Sequence, residues 1–581
     1  MSAVARAETL PFDRTSPDRG SFAQALDEIR ALVGEAHVHA DAATRAHWAR
    51  STLPVSTTPA AVVRPASTAE VQEIVRIAGR YHLALHPISG GKNWGYTDAC
   101  AARDGQIMLD LRRMNRILEV NEKLAYATIE PGVSQGQLAD YLEAAGVPLW
   151  MDATGAGPDA SIVGNIVERG LGHTVHGDRF LHSCGMEVVL PDGRLLKTGF
   201  GHYAGARAAA LHKWGIGPAL DGLFTQSNFG IVTRMTVWLM PKPECFAPFL
   251  ICAPHADDIG DLIEALRPLR LNGTLRTTIH LFNDMRLLAG LERYPWDLAD
   301  GSAPLSTEWI AAAKRRHGLS AWHGTGAFYG SRAEVTAAAS TLQRALRGTA
   351  ARLIVLSDRK LWLARNLTRV LGWFGLGKTL AFRLGRMRVA YDLLRGRPSN
   401  ACLSLAHWRL PASAAPAAAP DPLDQNAGLI WIAPVLPATR EDAARLQSIA
   451  RPIFDRHGFE FQVTYSSATP RSLCAVLTVC YDRTNAAETR RAHECHDFLH
   501  NALMTAGYVP YRAGNLSMDR LAERSEVFWD VVADLKEALD PGGVLAPGHY
   551  EPAAGLRELA QPKQAALPAI LPGPSGPSVS P

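Results

Sequence analysis

One stretch limits the folds open to this sequence: Pro87-Ile88-Ser89-Gly90-Gly91-Lys92-Asn93-Trp94-Gly95-Tyr96. An apolar run from Leu83 to Ile88 reads as a strand and leads into Gly90, Gly91 and Gly95, with a tyrosine closing the stretch. Glycine has no Cβ and tolerates positive φ, so such a turn brings backbone amides close to an anion. Successive N–H groups there form a concave nest suited to a phosphate or pyrophosphate. A glycine-rich turn can also simply reverse the backbone, so its surroundings decide its meaning.

Those surroundings are ordered. Ser21 to Glu35 places Phe22, Leu26, Ile29 and Leu32 at helical spacing. Ala61 to Pro65 reads as a strand, and Ser67-Thr68-Ala69-Glu70 is a capping signal before a helix through Val71, Ile74, Val75 and Ala78. The opening is therefore strand, helix, strand, glycine loop. Strands follow at Ile107–Leu111 and Ala125–Glu130, a helix at Gln135–Ala145, a hairpin around Asp192-Gly193 and a strand at Gly230–Leu239. This is an α+β pattern, without the regular βαβ repeat of a doubly wound sheet. Gly155-x-Gly157-x-x-Ala160 imitates a dinucleotide fingerprint, but Asp152 and Pro158 interrupt the strand–turn–helix context that a Rossmann site requires.

Residues 245–420 are less legible. Arg359 to Arg397 mixes basic residues with Trp362, Trp373 and Phe374. A surface helix pair covering a core is the favoured reading there, ahead of docking on a membrane surface or an acidic partner. Pro411 to Pro422 is an Ala/Pro loop. Strands resume at Gly428–Val435, Phe461–Tyr465 and Cys474–Tyr481, and Ser525–Leu539 is a helix stopped by Asp540-Pro541-Gly542-Gly543. The Pro/Ala/Ser-rich end reads as a disordered tail.

Composition excludes several classes. A length of 581 residues implies two or three domains. The net charge of +4 is small for that size and accompanies no aromatic-interleaved basic stripe, so nucleic acid is not an expected partner. Eight cysteines without a C-x-x-C pair point to reduced thiols in a cytoplasm. Met1 to Arg19 lacks the apolar core of a secretory signal, and no apolar run reaches membrane-spanning length. His173, His176, His182 and Cys184 match no standard zinc spacing, so a polar cofactor-lining loop is expected there and no metal.

Together the segments resemble the vanillyl-alcohol oxidase and p-cresol methylhydroxylase flavoproteins. The resemblance rests on Pro87 to Tyr96, Glu130-Pro131-Gly132-Val133, Ser161 to Gly170, Met186 to Leu190, Gln226 to Thr233, Pro510-Tyr511-Arg512 and Leu545-Ala546-Pro547-Gly548, in the family's order. It implies an α+β fold: a two-subdomain FAD-binding domain with an inserted α+β substrate cap. The boundaries so implied are a flexible N-terminus (1–20), the FAD domain (21–244), the cap (245–500), a return to the FAD domain (501–556) and a tail (557–581). FAD would be held by Pro87, Ile88, Ser89, Gly90, Gly91, Lys92, Asn93 and Gly95, with Ser161, Gly164 and Asn165 nearby. Glu187, Val188, Gly230 and Ile231 would lie along it.

The resemblance also implies a para-substituted phenol as substrate, its oxygen held by Tyr96, Tyr511 and Arg512. Hydride would leave the benzylic carbon for flavin N5 and produce a quinone methide. An FAD oxidoreductase of a non-phenolic hydroxyl compound stays open, as does a flavoprotein subunit docking an acidic electron carrier; a homodimer is also open. Two departures stand out. Leu429 falls near the position of a flavin-linking histidine, which implies dissociable FAD. Gly155 and Ala156 fall where the alcohol-oxidising member carries an acid-base aspartate, leaving His173 or His176 as candidate bases.

Overall fold

The structure is a computed structural model describing residues 19–356, 389–411, 421–524 and 526–551. The sequence expectations for the first 18 residues, for most of Arg359–Arg397, for most of the Ala/Pro loop and for the tail lie outside the described residues.

Helix α1 spans Arg19–Val33 and α2 spans Ala42–Trp48; α3 (Thr68–Arg80) starts where Ser67 accepts a hydrogen bond from the Glu70 amide at 3.2 Å. α3 buries Val71, Ile74, Val75, Ile77 and Ala78. They pack against a four-stranded sheet of β1 (Val38–His39), β2 (Ala61–Val63), β3 (Leu85–Ile88) and β4 (Ile107–Asp110), in the order β1-β2-β4-β3. β3 is an edge within this order, which is where a strand containing Pro87 fits. A late segment covers that edge: the Leu85 amide donates to Val544 and the Ala546 amide to Leu85, both at 2.7 Å.

A second sheet is antiparallel throughout. It contains β5 (Ile117–Asn121), β6 (Tyr126–Ile129), β8 (Ser183–Val189), β9 (Leu195–Lys197) and β10 (Ile231–Trp238), in the order β5-β6-β10-β8-β9. Between β6 and β8 come α4 (Gln135–Ala144), the short β7 (Leu149–Trp150) and α5 (Ile162–Val167); β7 pairs with β11 (Met240–Pro241).

The third sheet has eight strands: β12 (Cys245–Ala253), β13 (Ile279–Asn283), β14 (Trp322–Gly330), β15 (Arg352–Val355), β16 (Ala427–Ile432), β17 (Val435–Pro437), β18 (Gln462–Ser467) and β19 (Ser472–Asp482). Their order is β15-β12-β14-β13-β18-β19-β16, with β17 on β19. The helices of this unit are α6 (Asp258–Leu271), α7 (Asp284–Leu288), α8 (Thr307–His317), α9 (Arg332–Ala345), α10 (Arg440–Arg456) and α11 (Ala486–Thr505). Successive strand side chains point to opposite faces. Phe249, Ile251, Ile279, Leu281, Val463, Tyr465, Ala475 and Leu477 enter a core shared with α6, α9, α10 and α11. Their alternates Leu250, Cys252, His280, Phe282, Thr464, Ser466 and Val476 line a cavity. α11 runs past residue 500, the boundary expected for this unit, because Leu499 and Leu503 belong to the same core. α12 (Glu526–Leu539) is the last of the described helices. Among the described residues no helix is long and apolar enough to cross a membrane.

Candidate active site

The glycine loop after β3 forms one wall of the cavity. Gly91 has φ +66° and Gly95 φ +74°, in the left-handed region that favours glycine. A Cβ on Gly95 would sit 1.6 Å from Trp431 Cδ1, so the indole lies directly on this glycine, and the Trp431 amide donates to the Gly95 carbonyl at 3.0 Å. The loop thereby ties the first sheet to β16. Lys92 is paired with Asp421 and lies 5.5 Å from the Trp94 ring centroid.

The cavity has a volume of about 1340 Å³, more than a drug-sized ligand needs. Of the residues expected to contact a cofactor, Pro87, Ile88, Ser89, Gly90, Gly91, Lys92, Asn93, Ser161, Gly164, Asn165, Gly230 and Ile231 line it. Gly95, Glu187 and Val188 do not. Gly95 is beneath Trp431, Val188 is fully buried in the core of the second sheet, and Glu187 accepts from Thr68 and Thr233 at 3.1 and 3.3 Å. On its strand Glu187 faces α3 and β10.

Tyr96, Tyr511 and Arg512 converge on the cavity from segments more than four hundred residues apart in sequence. Tyr96 is fixed by the loop, its carbonyl accepting from the Asn515 amide at 2.9 Å; the Tyr511 amide donates to Ala433 just past β16 at 3.1 Å. Arg512 is the hub. Its Nε donates to the Glu168 carbonyl at 2.8 Å and its Nη1 to Asn93 Oδ1 at 3.2 Å. Its guanidinium carbon lies 4.9 Å from the Tyr96 ring centroid and 5.6 Å from that of Tyr511. Burial raises both tyrosine pKa values despite the nearby cation, so both stay protonated donors at neutral pH. Burial opposes the charge on Arg512, but Tyr511, Tyr96 and Glu168 hold its pKa above the ordinary value.

The histidine loop divides. His173 lines the cavity with its ring centroid 4.3 Å from that of His280 on β13, and His280 Nδ1 is 2.8 Å from Ser466 Oγ. Burial pushes His173 down to about 4 and His280 down as well, so both are neutral proton acceptors at pH 7. His176 is elsewhere. It stacks on His182 at 4.0 Å, its Nδ1 lies 3.2 Å from the Trp238 carbonyl, and it borders a small separate pocket with Asp152 and Arg179. The loop turns after Thr174, whose hydroxyl and amide are both held by Asp152, so residues 173 and 176 face different cavities. Gly155, Ala156 and Leu429 also line the main cavity.

Several wall residues carry no advance signal of a role. Glu168, within the matched Ser161–Gly170 run, and His549, after Leu545–Gly548, approach to 3.3 Å. Burial works against the Glu168 charge, but the His549 hydrogen bond and the Arg512 charge hold its pKa below the ordinary value. Arg286 and His280 lie in the least legible part of the sequence, and only the sheet topology brings them here.

The wall fits FAD. His86 Nδ1, Glu168 Oε2 and His549 Nδ1 are buried without a hydrogen-bond partner among the described residues, and all three residues line the cavity. Unpaired buried polar atoms are costly, and the polar edge of an isoalloxazine offers both donors and acceptors.

This combination of fold and wall defines an FAD-binding flavoprotein, and a family model described as an FAD binding domain matches residues 59–199. The chain is 39% identical over 531 residues to 1'-carboxy-chondrochloren decarboxylase of Chondromyces crocatus, covering 91% of this chain and 97% of that one. It is 31% identical over 536 residues to the 4-cresol dehydrogenase (hydroxylating) flavoprotein subunit of Pseudomonas putida, covering 91% and 95%. The solved structure of p-cresol methylhydroxylase with substrate bound superposes with a TM-score of 0.81 at 29% identity, covering 92% of this chain and 97% of that one. The chain belongs to the p-cresol methylhydroxylase family of FAD-dependent oxidoreductases.

Proposed function

We propose that this protein oxidises a para-substituted phenol at its benzylic carbon. The observation that carries the reading is the convergence of Arg512, Tyr96 and Tyr511 on one wall of the cavity. A free phenol, with a pKa near 10, is mostly neutral at pH 7. A guanidinium with a spare Nη2 and two protonated hydroxyls favour its anion. The phenolate pushes electron density to the para position, and hydride departs from the benzylic carbon, leaving a quinone methide. FAD, when bound, supplies the acceptor for that hydride. Asn93 and the Glu168 carbonyl and carboxylate keep Arg512 aimed at the substrate oxygen. Neutral His173 shares the cavity wall with Gly155 and Ala156, neither of which carries an acid, and it accepts a proton from a water attacking the quinone methide.

A second reading shares the first step. The decarboxylase relative and the lack of a carboxylate at 155 and 156 favour substrates whose quinone methide loses CO2. There the bond to the carboxylate breaks, its electron pair forms a carbon–carbon double bond in the para substituent, and the ring oxygen recovers its negative charge.

Within this reading the eight-stranded unit (245–500) caps the FAD domain (21–244 and 501–556) and shapes the substrate pocket. Leu429 on the wall supports dissociable FAD, because leucine cannot form a flavin bond. Cys100, Cys184, Cys245, Cys252, Cys474, Cys480 and Cys495 form no disulfide, which supports a cytoplasmic location. At the described end of the basic segment Arg395 pairs with Asp392 and Arg397 with Glu143, which leaves less charge for docking an electron carrier.

The test is anaerobic mixing of FAD-loaded protein with para-alkylphenols, phenylpropanoic acids, sugars and hydroxy acids. Bleaching of the flavin by para-substituted phenols alone is expected, with products showing hydration or CO2 loss. Bleaching only by non-phenolic alcohols sinks the reading.

A further inference from the structure

Arg286 follows β13 on the short helix α7, its amide donating to Asn283 Oδ1 at 3.0 Å. The side chain lines the main cavity. Its Nε is buried with no hydrogen-bond partner, and among the described residues no carboxylate pairs with its guanidinium. The contact it does make is with the Trp431 ring, whose centroid is 5.6 Å from the guanidinium carbon. A cation–π contact compensates part of the cost of a desolvated charge, yet it leaves the Nε donor unmet.

The neighbouring acids are engaged elsewhere. Asp284, two residues earlier, is held by Lys314 at 2.5 Å; Glu292 is held by Arg316 and His317; Glu488 pairs with Arg409 and Asp421 with Lys92. Burial pushes the Arg286 pKa down, and the groups that partly offset this are the thiols Cys480 and Cys402. Cys480 is itself pushed up to about 12 by burial, so it brings no negative charge at neutral pH. The other cations on the wall are accounted for: Lys92 has Asp421, Arg512 has Glu168 and Asn93, and Arg352 is exposed. Arg286 is thus a cation on the cavity wall that has no anion among the described residues.

Its place relative to the phenol site is defined by two contacts. Trp431 lies directly on Gly95, the residue before Tyr96. Cys402, whose field reaches Arg286, has its Cβ 3.3 Å from where a Cβ on Gly155 would stand. The guanidinium therefore belongs to the wall that joins the Tyr96 side of the cavity to the Gly155 side.

We propose that Arg286 binds a carboxylate carried on the para substituent of the phenolic substrate. The substrate class is then a 4-hydroxyphenyl carboxylic acid, with its oxygen at Tyr96, Tyr511 and Arg512 and its acid group at Arg286. This rests on the phenol reading, and the experiment separates the two.

FAD-loaded protein is titrated anaerobically with a matched pair, 3-(4-hydroxyphenyl)propanoate and 4-ethylphenol. The wild type is expected to show a Kd lower for the acid by roughly tenfold to hundredfold, the range of a charge-assisted hydrogen bond. In R286M that ratio should collapse to about one, and R286K should retain part of it because an ammonium still pairs but lacks the planar fork. FAD content and thermal melting report whether each variant is folded, and R286K serves if R286M is not. Equal affinities in the wild type, or a ratio unchanged in R286M, overturns the proposal. Loss of FAD in R286M with the ratio retained also overturns it, since the residue would then serve the cofactor. If neither compound bleaches the flavin, the phenol reading fails by itself. Perturbation of the oxidised flavin spectrum by the acid then decides the anion site: sensitivity to R286M supports it and indifference overturns it.

Discussion

Arg512 has Nε and Nη1 occupied by the protein, while Nη2 is buried without a partner among the described residues. That division lets one residue be both rigid and reactive: two bonds orient the guanidinium and the remaining donor meets the ligand. Arg512→Met keeps much of the bulk and removes charge and donors. Anaerobic flavin reduction by a para-alkylphenol is expected to slow by about 10²- to 10³-fold, as when a positioned oxyanion donor is lost. Unchanged stopped-flow rates would refute the role. The identities of Tyr96, Tyr511 and Arg512 could be taken from matched motifs because each sits in a run with its own pattern. Arg286 and His280 had no such run. An arginine soon after a short strand reads as surface until the sheet is assembled, and then it faces a cavity.

The glycine loop and the segment after α12 act together as elements. Lys536 on α12 donates to the Asn228 and Leu545 carbonyls at 3.0 and 2.8 Å and pairs with Asp540 at 2.7 Å. Asp540 in turn accepts from the Val544 and Leu545 amides at 2.8 and 2.9 Å. This buried latch presents residues 544–546 to the edge of β3, directly before the loop. Lys536→Met leaves the Asp540 charge buried and uncompensated, which costs about 3–5 kcal/mol. A lower Tm with weakened FAD retention is expected by calorimetry and flavin fluorescence, and a variant matching the wild type in both would show that the latch is dispensable. The helix α12 and the stop at Asp540 to Gly543 were legible as local signals. That Lys536 is an interior residue was not, because a lysine in an amphipathic helix ordinarily faces water. The His173–His176 loop shows the same limit: spacing grouped two histidines that Thr174 and Asp152 turn toward different cavities.

At the scale of the whole molecule, three sheets enclose the main cavity, and the fold keeps histidines neutral both on its wall, at His86 and His173, and away from it, at His176 and His407. Burial pushes His86 down to about 3 and His173, His176 and His407 down to about 4. In the unfolded state each would titrate near 6.5. Between pH 6.5 and about 4 the unfolded state therefore binds protons that the native state refuses, so stability is full above that window and falls as pH drops through it. Asp98, its carboxyl pushed up to about 6 by burial, works in the opposite sense, as do Asp221, Asp455 and Glu488, which burial also raises, while His280 and His496 are lowered and add to the histidine side. Thermal melting at pH 7.5, 6 and 4.5 should give a declining Tm, and a flat or rising series would contradict it. Local chemistry alone determined the capped helices, the hairpin at Asp192-Gly193, the left-handed turns at Gly91 and Gly95 and the family motifs, since these depend on residues close in sequence. Only the tertiary structure decided which alternate residues of the eight-stranded sheet enter the core and which line the cavity. Strand periodicity is symmetric between two faces, and the partner packed against each face breaks that symmetry.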